Sequence, residues 1–350
     1  MPWTDGAERR GTNVRSRPTM VDVAEMAGVS LKTVSRVVNE ERGVRAETAD
    51  RVRDAVSVLG YRANDTARNL RRGRPPATIG LVIEDVRNPF YASIARAVEE
   101  IARVRGHVVV IANSDEDPDA ERKSVAILLE RQVSGLLVVP AGRDHRYLAE
   151  EVRRGTSVVF MDRPAHGVHA DEVLIDNVGG ARRATEHLLG HGHRRIGVVG
   201  DPPTVYTVGE RVRGFRQAMS SADLTVDESL LCLGGRDAAQ AEAATRDLLL
   251  LDRPPTAIFA TNNRASVGVL RALRGRPPRV ALVGFDDFEL ADMLPIPVTV
   301  VKHDPVEMGR TGAELLFARL NGDERPPQRI VLPTQLEPRG SGEIAGDGER

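Results

Sequence analysis

The chain has 350 residues, more than one ordinary core needs, so two or three units are expected. Hydrophobic residues make up 41% and charged residues 28%, and no apolar run approaches the roughly 18 residues that would span a bilayer, which argues against a membrane-spanning helix. Net charge is −1, yet residues 1–74 hold 15 basic and 10 acidic side chains, leaving 34 against 40 for the rest, so a nucleic-acid contact is expected at one end only.

Residues 1–18 are charged and lack the apolar core of a secretory signal, so they read as a disordered extension and the chain as cytoplasmic. A single cysteine, Cys232, agrees, because one thiol builds no disulfide framework. Residues 19–62 read as a small all-helical unit. Thr19 and Asp22 form a capping pair for a short helix that ends at Gly28. Ser30 caps a second helix, on which Val34, Val37 and Val38 make a buried stripe. Leu31, Lys32, Ser35, Arg36 and Asn39 share the opposite face. A third helix over Glu47–Leu59, closed by Gly60, supplies core. Two helices joined by a tight Gly turn, the second presenting hydrogen-bonding side chains, suit the DNA major groove by size and chemistry. In residues 63–78, Asn64 caps a short helix with Ala67 and Leu70 on one side, and RRGRPPAT (Arg71–Thr78) reads as an exposed connector.

Beyond the connector, β-branched runs alternate with helical patterns: Ile79–Glu84, Val108–Asn113, Gly135–Pro140, Ser157–Asp162, Arg195–Gly200, Thr256–Thr261 and Val280–Asp286. Each run is nearly all apolar, as a strand buried on both faces should be. Repeated βα units over residues 79–337 predict two doubly wound parallel sheets in two lobes with a cleft between them. The glycine-rich, charged tail 338–350 has no core-forming run and is expected to be disordered. A small ligand would sit in the cleft, at the carboxyl ends of the strands. Phe90, Tyr91, Asp162, Arg211, Asn262 and Asp286 fall there. Aromatics can stack on a sugar face, while Asp, Asn and Arg can each bridge paired hydroxyls.

Three histidines, His187, His191 and His193, have spacings that could hold a metal, but neither HExxH nor a cysteine cluster accompanies them. His187 and His191 close a helix, where cationic or donor groups suit the terminal carbonyls, so the structural role is the expectation and no metal or cofactor is assigned. There is no GxGxxG, Walker loop or GxSxG, and Cys232, in LLCLGG with no base beside it, reads as a buried strand thiol, so no enzyme is expected.

The stretch Thr19–Asn39 resembles the helix-turn-helix of the LacI/GalR family of bacterial transcriptional repressors nearly residue for residue. The resemblance continues in order through LGYRANDTARNLRRGR (Leu59–Arg74), NPFY (Asn88–Tyr91), FMDRP (Phe160–Pro164), Asp176–Gly200, GFDD (Gly284–Asp287) and EMGRTGAELL (Glu307–Leu316). It implies that Leu31, Lys32 and Arg36 read bases, with Thr19, Ser30, Thr33, Ser35 and Asn39 nearer the phosphates. Ser30 as a simple helix cap is compatible with that. It also implies that hinge helices of two subunits meet in the minor groove and wedge Leu70 between base pairs; packing of Leu70 is the alternative. Ala63 departs from the family's usual proline. The effector positions carried over are Asp162, Arg211, Asn262 and Asp286. His303 stands where Gln is frequent, Thr207 is a further candidate, and Asn263 departs from the usual Asn-Asp pair. The implied protein is a dimeric repressor on a pseudopalindromic DNA operator, controlled by a small molecule, a sugar or sugar derivative. A sugar-binding transport protein is the competing class, since the bilobed fold alone resembles periplasmic binding proteins.

Overall fold

A computed structural model describes residues 18–39, 41, 43–61, 78–275 and 279–346. These fall into two compact units, one before residue 77 and one after it.

The first unit contains α1 (Met20–Ala27), α2 (Leu31–Val38) and α3 (Ala46–Leu59). Thr19 and Asp22 close a reciprocal capping box on α1, and Gly28 takes the left-handed conformation (φ 62°) that ends it. Arg51 of α3 donates to the carbonyls of Ala27 and Gly28, satisfying the helix end that the turn leaves open. Val23, Ala27, Val34, Val52 and Ala55 form one small core, with Val37 and Val38 packed on its edge. The third helix begins at Ala46, one residue before the expected start, behind an Arg45 cap that makes no side-chain bond.

The second unit is built on two six-stranded sheets, ordered β11-β5-β4-β3-β1-β2 and β12-β10-β9-β8-β6-β7. The seven strands expected from the apolar runs are β1 (Thr78–Ile83), β2 (Val108–Asn113), β3 (Gly135–Val138), β4 (Ser157–Met161), β6 (Ile196–Gly200), β8 (Ala257–Ala260) and β9 (Ala281–Phe285). An eighth, β7 (Leu231–Leu233), is the strand expected around Cys232, and four more were not anticipated: β5 (Asp171–Ile175), β10 (Thr299–Lys302), β11 (Arg329–Leu332) and β12 (Gln335–Glu337). The first sheet is parallel throughout, and in the second only β12 runs antiparallel, along β10. Both sheets are flanked by helices, as parallel sheets require.

The chain crosses between the lobes three times. Helix α7 (Asn177–Gly190) carries it into the second lobe and packs there on α8 (Tyr206–Ser221). Helix α11 (Pro305–Leu320) follows β10 back to the first lobe and packs on α4 (Pro89–Val104). The short link from β11 to β12 crosses again. Each helix pair depends on one glycine: a Cβ at Gly214 would lie 2.2 Å from the Val178 carbonyl, and one at Gly309 would lie 2.6 Å from that of Ile94.

Two expectations are corrected. The tail is ordered at least to Gly346. Ser341 Oγ donates to the Leu282 carbonyl and accepts from the Thr299 amide, while the Glu343 carboxylate accepts from Thr299 Oγ1 and the Gly340 amide. The physical reason is a set of hydrogen bonds with one apolar anchor, Ile344, packed on the core, which a search for core-forming runs does not see. Strand β2 is not buried on both faces. It is an edge strand, and Val108 is 66%, Val110 40% and Ile111 43% exposed.

Candidate functional site

In the first unit, α2 presents the face that its spacing predicts. Ser30 Oγ accepts from the Thr33 amide at 3.2 Å, and Asn39 Nδ2 donates to Ser35 Oγ at 3.2 Å, so the polar residues at both ends are held in place. Lys32 and Arg36 are exposed, and so is Leu31, an apolar side chain that the core does not use. Thr19, also exposed, is engaged with Asp22. Asn64, Ala67 and Leu70 lie outside the described residues.

In the second unit, a cavity between the lobes is lined by Phe90, Tyr91, Asp162, Thr207, Arg211, Asn262 and Asp286, seven of the eight residues picked out from the sequence. The eighth, His303, lies directly behind it, with Nε2 3.0 Å from Asp286 Oδ1 and its ring edge-on to Phe90 at 5.2 Å. The first lobe contributes Phe90 and Tyr91 from the start of α4, where Asn88 accepts from the Phe90 amide. The second contributes Arg211 from α8 and Asn262, which caps α10 (Asn263–Leu273) by accepting from the Ala265 amide.

Arg211 organises the second lobe's half. Its guanidinium lies 3.7 Å over the Phe285 ring, donates to Asn177 Oδ1 at 2.8 Å and to the Thr261 carbonyl, and forks onto both Asp286 oxygens at 3.1 and 3.2 Å. Burial opposes ionisation of Asp286, but Arg211 and His303 outweigh it and hold its carboxyl below the usual range. Asp162 is different. Its nearest donors are Tyr91 Oη at 3.5 Å and Arg163 Nε at 3.4 Å, and burial pushes its pKa up. Both aspartates sit at strand ends in the left-handed region, each with φ 65°, a conformation Asp tolerates better than most residues and one concentrated at functional sites.

The sequence reading missed Glu84, Asn88, Arg163, Asp201, Val205 and Arg264 on the same cavity. Glu84 and Asp201 directly follow β1 and β6, so the rule that ligands gather at strand carboxyl ends would have found them. Burial and the Glu116 charge raise Glu84 to about 7, and burial raises Asp201 to about 6. Arg264 bridges the lobes, reaching Glu84 at 3.0 Å and Asp85 at 2.8 Å, while the adjacent Asn263 donates to Asn88 at 2.9 Å.

The three histidines make separate contacts. His187 pairs with Glu343 at 2.6 Å, His191 Nδ1 bonds the His187 carbonyl, and His193 bonds Thr256 Oγ1 and the Ile344 carbonyl. Two of them thus fasten the tail. Cys232 is half-buried in β7, and burial pushes its thiol up. No helix among the described residues is long and apolar enough to cross a membrane.

Comparison with known proteins matches residues 19–64 to the model for bacterial regulatory proteins of the lacI family, and residues 185–342 to a periplasmic binding protein-like domain. The HTH-type transcriptional regulator CelR of Thermobifida fusca is 36% identical over 94% of this chain and 99% of its own length. The chain belongs to the lacI family. The ribose operon repressor of Escherichia coli K12 is a further lacI-family relative, 31% identical over 92% of this chain and 99% of its own. Among solved structures, the CelR–cellobiose complex aligns at 33% identity with a TM-score of 0.68, covering 93% of this chain and all of that one. The lac repressor dimer bound to operator and an anti-inducer aligns at 26% with a TM-score of 0.77, covering 94% of this chain and all of that one. This lacI-family chain is therefore a DNA-binding transcriptional regulator rather than an enzyme or a transport protein.

Proposed function

We propose that this chain is a cytoplasmic repressor that binds a pseudopalindromic operator as a homodimer and is controlled by a sugar or sugar derivative in the interlobe cleft. The observation that carries the sensing half is the Arg211–Asp286–His303 group facing Phe90, Tyr91 and Asp162 across one cavity. Planar donors and acceptors bridge vicinal hydroxyls, and an aromatic edge covers the apolar ring face. Related regulators solved with cellobiose and with ribose support the same class.

For the DNA half, Leu31, Lys32 and Arg36 on the open face of α2 read base edges, and Thr19, Ser30, Thr33, Ser35 and Asn39 position the backbone. Asn64, Ala67 and Leu70 keep the hinge role that the resemblance gives them. Two apolar surfaces favour a second copy as partner. In the first lobe, Val108 and Val110 are exposed on one face of the edge strand β2. In the second, a groove of about 650 Å³ is lined by residues including Leu270, Leu273, Phe288 and Leu294.

The test combines sedimentation, operator selection and ligand screening on the intact protein. A dimer that selects a two-fold symmetric site and loses or gains operator affinity with a stabilising sugar is expected. Arg36→Ala should relax preference at one base position by ~1–3 kcal/mol. A uniform loss over all sequences would make Arg36 a phosphate contact, and stabilisation by no sugar would remove the sensing half.

A further inference from the structure

The interlobe cavity has a second chamber. The inner one, around Asp162, Arg211 and Asp286, has only about 30 Å³ of free space, room for a water or two. Glu84 and Arg264 also line an outer chamber of about 500 Å³, within the usual range of ligand pockets. The Arg264 ion pairs with Glu84 and Asp85 are the wall between the two.

The outer walls come from both lobes. Asp85 and Arg87 follow β1, Asp115 and Glu116 follow β2, and Arg236 and Asp237 precede α9 (Ala238–Leu248). Asp115 and Glu116 are consecutive non-glycine residues with φ 50° and 59°, so the loop is held in a strained shape at this wall. Glu116 then reaches Arg163 of the inner chamber at 2.8 Å, tying the two linings together. Arg236, exposed, makes no side-chain hydrogen bond or ion pair among the described residues, so its guanidinium can serve a ligand.

Resting on the saccharide reading above, we propose that the effector is an uncharged oligosaccharide of at least two units, one in the inner chamber, which widens to admit it as the lobes part, and the next in the outer, with the linkage passing Arg264. Carboxylates and guanidinium groups both line the outer chamber, and each can bridge neighbouring hydroxyls in a bidentate manner. Carboxylates outnumber guanidiniums there, five to three, which opposes a phosphate or uronate on the second unit. To enter, the ligand parts Arg264 from Glu84 and Asp85, so filling the outer chamber also releases an interlobe tie.

The test is calorimetric titration of the intact protein with matched series: glucose, cellobiose and cellotriose; xylose, xylobiose and xylotriose; mannose and mannobiose; galactose and galactobiose; and glucose 6-phosphate. In one series the dimer or trimer should bind at least tenfold tighter than its monomer, and Arg236→Ala should cut that ratio below threefold. A monosaccharide binding as tightly as its dimer, or a ratio untouched in Arg236→Ala, overturns the outer subsite and leaves the sugar reading intact. Tightest binding by glucose 6-phosphate overturns the charge argument. Binding by no member overturns both the subsite and the saccharide reading.

Discussion

The two lobes are built alike and finished differently. Each ends a central strand in an aspartate at φ 65°, and each such aspartate donates its amide to the neighbouring strand, Asp162 to the Val173 carbonyl and Asp286 to that of Val301. Each lobe also packs a helix pair against a glycine. Around Asp286, however, the second lobe supplies Arg211 and His303 within hydrogen-bond distance, whereas the first lobe leaves Asp162 with donors only at 3.4 Å or beyond. The lesson is that a cleft between similar lobes need not be symmetric in readiness. One half is preorganised and charged, and the other keeps a buried carboxyl with capacity for a ligand hydroxyl.

The largest break of that asymmetry is Arg211→Ala. Arg211 is 3% exposed and serves Asn177, Thr261 and Asp286 at once, so its removal leaves a buried carboxylate without its main counter-charge. Breaking such a pair typically costs about 3–5 kcal/mol. Denaturant unfolding should register a loss of that size, together with loss of any ligand-induced rise in Tm. Retained stability and retained ligand response would mean that the second lobe is not the organised half.

Next comes Glu84, on the first lobe's rim. Burial and Glu116 raise it from 4.5 to about 7, so the folded state holds its proton where the unfolded state has released it. The sign follows: stability is greatest below the unfolded pKa, falls as pH rises from about 4.5, and levels off above about 7. Glu84→Gln removes the ionisation and should match the parent near pH 4.5, then exceed it increasingly, by at most about 3 kcal/mol above pH 7.5. Thermal melts of both proteins across pH 5–8.5 check this. A constant gap, or a parent more stable at high pH, would show that the Arg264 and Arg163 charges already satisfy Glu84.

This unevenness also explains what could be read from the sequence and what could not. The central strands were legible because burial on both faces makes them uninterrupted apolar runs, and the helix-turn-helix because its caps, Gly28 and Ser30, are local. Some outer strands were not. Strands β11 and β12 are short and half-covered, so their composition resembles loop, and β5 (DEVLI) hides Asp171 and Glu172 in ion pairs with Arg319 and Arg329. Within the site, Arg211, Asn262 and Asp286 stand at positions carried over from the family resemblance. Glu84, Arg163 and Asp201 stand at or next to strand ends and were within reach of the rule that ligands gather there, whereas Arg264 became visible only when the fold brought residues from both lobes to one cavity. The tail was misread for a related reason: its anchors are single hydrogen bonds to residues 40 or more positions away.

The sharpest comparison, though not the largest effect, is the matched pair Asp286→Asn and Asp162→Asn. Asparagine preserves shape and tolerates the left-handed backbone, so each change removes chiefly the charge. At Asp286, the amide keeps one acceptor oxygen but places an NH2 against Arg211 or His303, losing charge-assisted bonds of about 1.5–3 kcal/mol. At Asp162, burial already disfavours the ionised form and no short donor is lost, so the change should be neutral or stabilising by up to about 1 kcal/mol at pH 8. Opposite signs in equilibrium unfolding at pH 8 are the expected result, and the Asp162 gain fades as pH falls through its raised pKa. Equal losses at both positions would mean that Asp162 is as firmly held as Asp286, and that the two halves of the cleft are equally prepared for a ligand.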